Sequence, residues 1–352
     1  MSFERQLAFW LATFLVLVLL LWLLSEILLP FVAGMVIAYL LDPLTERLIR
    51  AGMSRKLAAL LIVGMFAVSA IVLLLLIVPI LASQLSALVT NFPDYVTRLQ
   101  ALLIAADWPG LGPLLGGDAS KTMNDLVSQG AGWVATFVRS LWSGGRALVS
   151  VFSLAIVTPV IAFYLICDWP RMLATVEGWI PVAHRATVHT LAREIDAAIA
   201  GFLRGQSGVC LLVGSYYALA LLFAGLNFGV LIGMISGLLT FIPYIGSMTG
   251  LVLSLAVAVA QFSPDWMRIM VVLAIFVVGQ FLEGYIIAPK LVGESVGLHP
   301  VWLMFALFAF GYLFGFVGLL VAVPLAAAIG VLLRFALRQY RSSLLYTGDI
   351  TG

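Results

Sequence analysis

The chain has 352 residues, 63% of them apolar and only 10% charged, with a mean hydropathy of +1.17. A soluble domain carries about 25% charged and about 45–50% apolar residues, so these values exclude a soluble globular protein and point to a polytopic membrane protein. A net charge of +2 with no basic run gives no support for a nucleic-acid partner, and two cysteines cannot form a disulfide framework.

Apolar segments are expected at about 7–25, 27–41, 57–82, 148–167, 207–226, 228–262, 269–288 and 301–333. The first, Leu7 to Leu24, has the look of a signal-peptide core. It lacks a small-residue cleavage site and runs into another apolar stretch, so it reads as a retained span. Glu26 falls at the turn between the first two segments. After the third span, residues 83–104 read as an amphipathic helix: Leu85, Leu88, Val89, Phe92, Tyr95, Leu99, Leu102 and Leu103 recur at 3–4 spacing, with a kink at Pro93. A turn-rich loop, 107–120, separates it from a second amphipathic stretch containing Met123, Leu126, Trp133 and Phe137. Such helices lie on a membrane surface or pack between subunits.

In the fourth span, Pro159 frees backbone carbonyls and is a candidate kink; Asp168 closes that span as a gate or boundary residue. The segment 168–206 carries an amphipathic helix from Arg185 to Arg204, with Val188, Leu191, Ile195, Ile199 and Phe202 on one stripe. His184 and His189 read as surface residues.

Residues 205 to 264 carry no charge, which is too long a run for two simple spans. Within it, FIPYIG (Phe241 to Gly246) places Pro243 and Gly246 amid Asn227, Ser236, Thr240, Tyr244, Ser247 and Thr249. The expectation is one span followed by a broken hairpin over 228–262. Val301 to Leu333 is also uncharged. A straight helix of that length reaches about 50 Å against about 30 Å of hydrocarbon. Gly311, Gly315, Gly318 and Pro324 interrupt it, so a second broken hairpin is expected. Broken helices at membrane depth survive only where their backbone is buried in protein or lines a wet cavity, and transporters use paired breaks to build sites. The plainer account is that Gly and Pro serve tight packing of membrane helices.

Among ionisable residues inside spans, Glu283 is the clear case, with Gln280 one turn before it and Pro289 and Lys290 at the span end. A carboxylate there can hold a proton or a cation or accept bonds from a polar solute. The structural alternative pairs it with Lys290 or puts it near the headgroups. Thr240, Tyr244, Ser247 and Asn227 are the other pathway candidates.

Lys and Arg set the orientation. Arg5, the 42–56 loop, the 168–206 segment and Arg334, Arg338 and Arg341 all lie in the cytoplasm if each broken segment counts as an even crossing, which leaves both termini cytoplasmic and 83–147 outside. The two hairpins then enter from opposite faces. No GxxxxGK[ST] loop, HExxH or CxxC motif occurs, and three histidines are too scattered to form a site. Neither enzyme chemistry, a metal nor a cofactor is therefore expected.

The blocks LLPFVAGMVIAYLLDPLTERL, TPVIAFYLICDW, GVLIGMISGLLTFIPYIGSMTG and APKLVGESVGLHPVWLMFALFAFGYLFGFVGLLVAVPLAA resemble the autoinducer-2 exporter family of bacterial membrane proteins, in the same order over nearly the whole chain. The resemblance implies an all-α, oligomeric inner-membrane permease with about eight hydrophobic segments. It implies a small hydrophilic signal as a candidate substrate, while some members resemble sodium(lithium)/proton antiporters. By motif position, Pro243, Tyr244 and Gly246 match one block; Pro289, Lys290, Gly293, Gly297, Pro300, Gly311, Gly315, Gly318 and Pro324 match another. The expectation is a single transport domain over 1–352 acting as a secondary exporter, with the bilayer, a small polar solute and protons or sodium as partners. A non-transporting scaffold is the contrasting reading.

Overall fold

The computed structural model describes residues 25–105, 145–243, 245–293 and 297–343, together with a few single positions before residue 25 and Tyr346. The expected span 7–25, residues 106–144 and Tyr244 therefore lie largely or wholly outside the described residues. The described chain is all-α. The helices are α1 (Ser25–Arg50), α2 (Arg55–Ala105), α3 (Gly145–Trp179), α4 (Arg185–Phe223), α5 (Gly229–Leu239), α6 (Ile245–Phe262), α7 (Trp266–Phe281), α8 (Ala288–Leu291) and α9 (Pro300–Arg341). A π-helical turn, Leu282–Ile287, joins α7 to α8. Among the described residues seven helical stretches are long and apolar enough to cross a bilayer, and the protein is a multi-pass membrane protein. Leu57, Leu60, Met65, Val68 and the run Ile71–Leu76 on α2 are exposed, as lipid-facing side chains must be.

Several helices run well past the expected span ends. α2 continues through the stretch read as a separate amphipathic helix, 51 residues or about 77 Å in all. α3 continues past Asp168, and α4 fuses the amphipathic 185–204 stretch with the span after it. A period of 3.6 marks a helix but not where the membrane ends, so these fusions are invisible to hydropathy.

The described residues form two compact units. One takes Met1–Ala67, Ser153–Gln206 and Lys290–Gly352; the other takes Val68–Phe152 and Ser207–Pro289. In the first, α1, α2 and α3 pack around Ala38, Leu41, Ala59, Val63, Ala162 and Ile166. Gly34 lies against Ile161 and the Thr158 carbonyl, where any side chain would collide. Pro170 in α3 has no N–H to give the Ile166 carbonyl one turn back. Arg55 supplies the missing donor, Nε to Ile166 O at 2.8 Å. On another face of this unit Arg338 of α9 lies 3.8 Å from Glu194 of α4.

α9 is two helices joined at Gly315, whose φ of 60° and ψ of −138° leave the helical region. Gly318 packs on the Phe310 carbonyl and Gly311 on the Leu319 side chain. Residues eight apart in a straight helix are about 12 Å apart along its axis. Their contact means that the chain turns back at Gly315. His299 caps the first arm, Nδ1 accepting from Val301 N at 3.3 Å, and Pro300 begins it where no donor is needed.

In the second unit α5 and α6 form the other hairpin, broken across Thr240–Pro243. α5 has 11 residues, about 16 Å, and falls short of the hydrocarbon thickness of about 30 Å.

Candidate functional site

The second unit is held together by glycine. Gly229, Gly233 and Gly237 recur every fourth residue on one face of α5. They meet Leu221, Ala218 and Gly214 of α4 so closely that a Cβ at any of the three would collide. Small residues at this spacing let backbones approach where lipid gives no hydrophobic drive. α6 repeats the device: Gly246, Gly250, Ser254 and Ala258 are all buried. Gly246 lies on Thr240 and Ser236, and Gly250 lies on Ser236 and Phe276 of α7. Ser236 Oγ donates to the Gly246 carbonyl at 2.8 Å and pins the two arms beside the break.

This arrangement sorts the pathway candidates. Thr240 is buried at the end of α5, and its hydroxyl donates back to Ser236 O at 2.8 Å. Ser247 is 7% exposed and lines a cavity of about 240 Å³ with Met248, Leu251, Phe276 and Gln280. Ser247 and Gln280 are thus brought together. Gln280 Nε2 donates to Glu283 Oε2 at 3.4 Å, carrying the polar track from the cavity into the π-turn. Among the described residues of this unit, no Lys or Arg forms an ion pair with Glu283. Asn227 is at the far end of α5, where its N–H donates to Gln261 Oε1 at 2.8 Å, and the structure does not bring it to the break. Tyr244 lies outside the described residues.

The helix-break residues divide similarly. Pro243 and Gly246 flank the α5–α6 break; Gly311, Gly315 and Gly318 build the α9 turn; Pro324 is buried in the second arm of α9. Pro289 and Lys290 are exposed in α8, Asp168 is exposed within α3, and Pro159 sits inside α3 beside buried Thr158.

Two features of this unit escaped sequence reasoning. The Gly229–Gly233–Gly237 spacing was a usable signal. Tyr217 gave none, since it sits in an apolar run of α4 and looks lipid-facing. It is fully buried, stacked on Phe276 with ring centroids 4.5 Å apart, and its ring fills the space above Gly279. Its hydroxyl is enclosed beside the Gln280 side chain, with no hydrogen bond of regular geometry among the described residues. A buried polar atom left unpaired costs about 1–3 kcal/mol and calls for a reason.

The sequence model of the AI-2E family transporter matches residues 11–338. The chain belongs to the AI-2E transporter family. It is 31% identical over 320 residues to YrrI of Bacillus subtilis (strain 168), across 90% of this chain and 88% of that one. It is 26% identical over 309 residues to PerM of Escherichia coli (strain K12), across 87% and 86%. It is 25% identical over 320 residues to the AI-2 transport protein TqsA of Escherichia coli (strain K12), across 90% and 86%. The names of YrrI and PerM refer to transport and permeation but to no substrate. The protein is accordingly a member of a membrane-transporter family, and none of these relatives is named as an enzyme.

Proposed function

We propose that the protein is a secondary transporter of a small polar solute across the bacterial inner membrane, working by alternating access with both termini in the cytoplasm. The observation that carries this is the α5–α6 break. An apolar, uncharged stretch stops being helical at Thr240–Pro243 and resumes at Ile245, with a cavity against Ser247 and Gln280. Irregular backbone in a bilayer persists where it is buried in protein or lines a wet path. α5, too short to cross, enters and returns as a re-entrant arm. The turn at Gly315 gives α9 a second such element. A scaffold has no use for either.

The solute class is small and hydrophilic, because Ser247 and Gln280 offer neutral hydrogen-bonding groups in an apolar wall. The relative TqsA is named for AI-2 transport, which makes that signal the first solute to try. The second reading, sodium(lithium)/proton antiport, rests on Glu283. A carboxylate in a π-turn, bonded to one neutral amide among the described residues, is suited to exchange a proton for a cation.

Flux into proteoliposomes decides between them, run with an AI-2-like sugar and with sodium under a pH gradient. The exporter reading expects saturable sugar flux that Ser247→Leu abolishes. The antiporter reading expects sodium-driven proton movement that Glu283→Gln abolishes. If neither flux exceeds that of empty liposomes, both readings fail and the scaffold stands.

A further inference from the structure

A larger cavity, about 490 Å³, lies in the first unit between α1, α3 and α4. It shares no residue with the hairpin pathway. Its room comes from small side chains: Ala38 on α1 faces Ala197, Ala200 and Gly201 on α4. Its polar wall is Tyr39, Asp42, Asp196 and Arg204, and Trp169 of α3 completes it. The volume is that of a metabolite site, since small-molecule pockets occupy about 300–1,000 Å³.

The polar groups are held in place rather than free. Tyr39 Oη donates to Asp196 Oδ1 at 2.9 Å, which leaves Asp196 Oδ2 without a hydrogen bond among the described residues. Arg204 Nε donates to the Tyr39 carbonyl at 2.9 Å, and its Nη2 is 3.8 Å from Asp42 Oδ2, a loose pairing of half-exposed groups. Nearby Glu46 is taken up by Arg55 at 3.4 Å. Two carboxylates thus face one guanidinium, so the lining carries one negative charge in excess.

We infer that this cavity binds a small organic cation, its ammonium or guanidinium group between Asp42 and Asp196 and its carbon skeleton along Trp169 and Met35. The charge excess selects a cation over an anion. An indole in the cavity wall adds attraction for a partly desolvated cation. The fixed donor–acceptor set gives the cationic group a preformed place, which limits the entropy lost on binding.

Calorimetric titration of the purified full-length protein in detergent tests this, with butylammonium and butylguanidinium as probes and sorbitol and butyrate as controls. Both cations are expected to bind saturably at one site and both controls to show no saturable heat. Asp42→Asn and Asp196→Asn, which keep side-chain shape, are each expected to weaken the cations about fivefold or more. Ala197→Leu, which fills the cavity from its exposed wall, is expected to abolish binding. The inference is overturned if neither cation binds the unaltered protein. It is also overturned if sorbitol or butyrate binds as tightly as the cations, or if all three variants bind as the unaltered protein does. Should one variant fail to fold, the unaltered protein and the other variants still decide.

Discussion

The guanidinium of Arg204 and the carbonyl oxygen of Tyr39 are joined because of a third residue, Pro43. In an α-helix the N–H at position 43 would serve the carbonyl at position 39, and proline has none. Arg204, from another helix of the same unit, provides the donor at 2.9 Å. Arg55 does the same for Ile166, whose helical partner would be Pro170. At two of the prolines inside its apolar helices, Pro43 and Pro170, the chain sends an arginine to the carbonyl left without its helical donor. Each bond fixes one helix against another at a defined height.

A double-mutant cycle follows from this. Arg204→Ala is expected to cost about 1–2 kcal/mol, moderated by the half-exposure of the side chain. Pro43→Ala restores a helical N–H to Tyr39 O. In that background Arg204→Ala is expected to cost less, by about 1 kcal/mol. Thermal unfolding in detergent measures all four forms, and strictly additive losses would mean that the proline and the arginine are unrelated.

The turn in α9 makes a sharper contrast between neighbouring glycines. Gly315 has open space around it but a φ of 60° with ψ of −138°, a conformation that L residues avoid. Gly315→Ala is expected to cost about 1–3 kcal/mol through backbone strain alone. Gly318 is an ordinary helical residue whose Cβ would overlap the Phe310 carbonyl. Gly318→Ala must therefore push the two arms apart, and solute flux is expected to suffer more than with Gly315→Ala. Equal and negligible effects on melting temperature would argue that the hairpin does not form.

The seam between α4 and α5 can be tested against a built-in control. A Cβ on Gly237 meets the Gly214 backbone, so Gly237→Ala is expected to destabilise by about 1–3 kcal/mol through overpacking. Gly64 in α2 has nothing within 4 Å of its Cβ position. Gly64→Ala is expected to be neutral or to stabilise by up to about 1 kcal/mol, because alanine favours the helix. Chemical denaturation of the two variants in parallel checks the sign of each.

What the sequence revealed and what it concealed have different physical origins. Both helix breaks were legible, because Pro243, Gly246, Gly311, Gly315 and Gly318 stand in runs without charge that are too long for whole spans. Glu283 and Gln280 were legible because a carboxylate amid apolar residues is costly. The joining of Ser247 to Gln280 was not, since it depends on how α6 packs on α7. The Tyr39–Asp196 bond links residues 157 apart, and no local pattern connects them. Asp196 and Arg204 lie off the apolar stripe of the 185–204 helix, and nothing local in the sequence connects them with Asp42.

Tyr217 supplies the last prediction, because its hydroxyl has no structural purpose that the packing reveals. The ring is secured by stacking on Phe276 and by the space at Gly279, and both survive Tyr217→Phe. Removing an enclosed hydroxyl that makes no regular hydrogen bond among the described residues is expected to leave stability unchanged or to raise it by about 1 kcal/mol. If the hydroxyl relays protons to Gln280 and Glu283, ion-coupled flux is expected to fall well below that of the unaltered protein while the melting temperature holds or rises. A variant that is more stable and transports normally would reduce Tyr217 to packing. Loss of both stability and flux would mean that the hydroxyl is bonded in the folded protein after all.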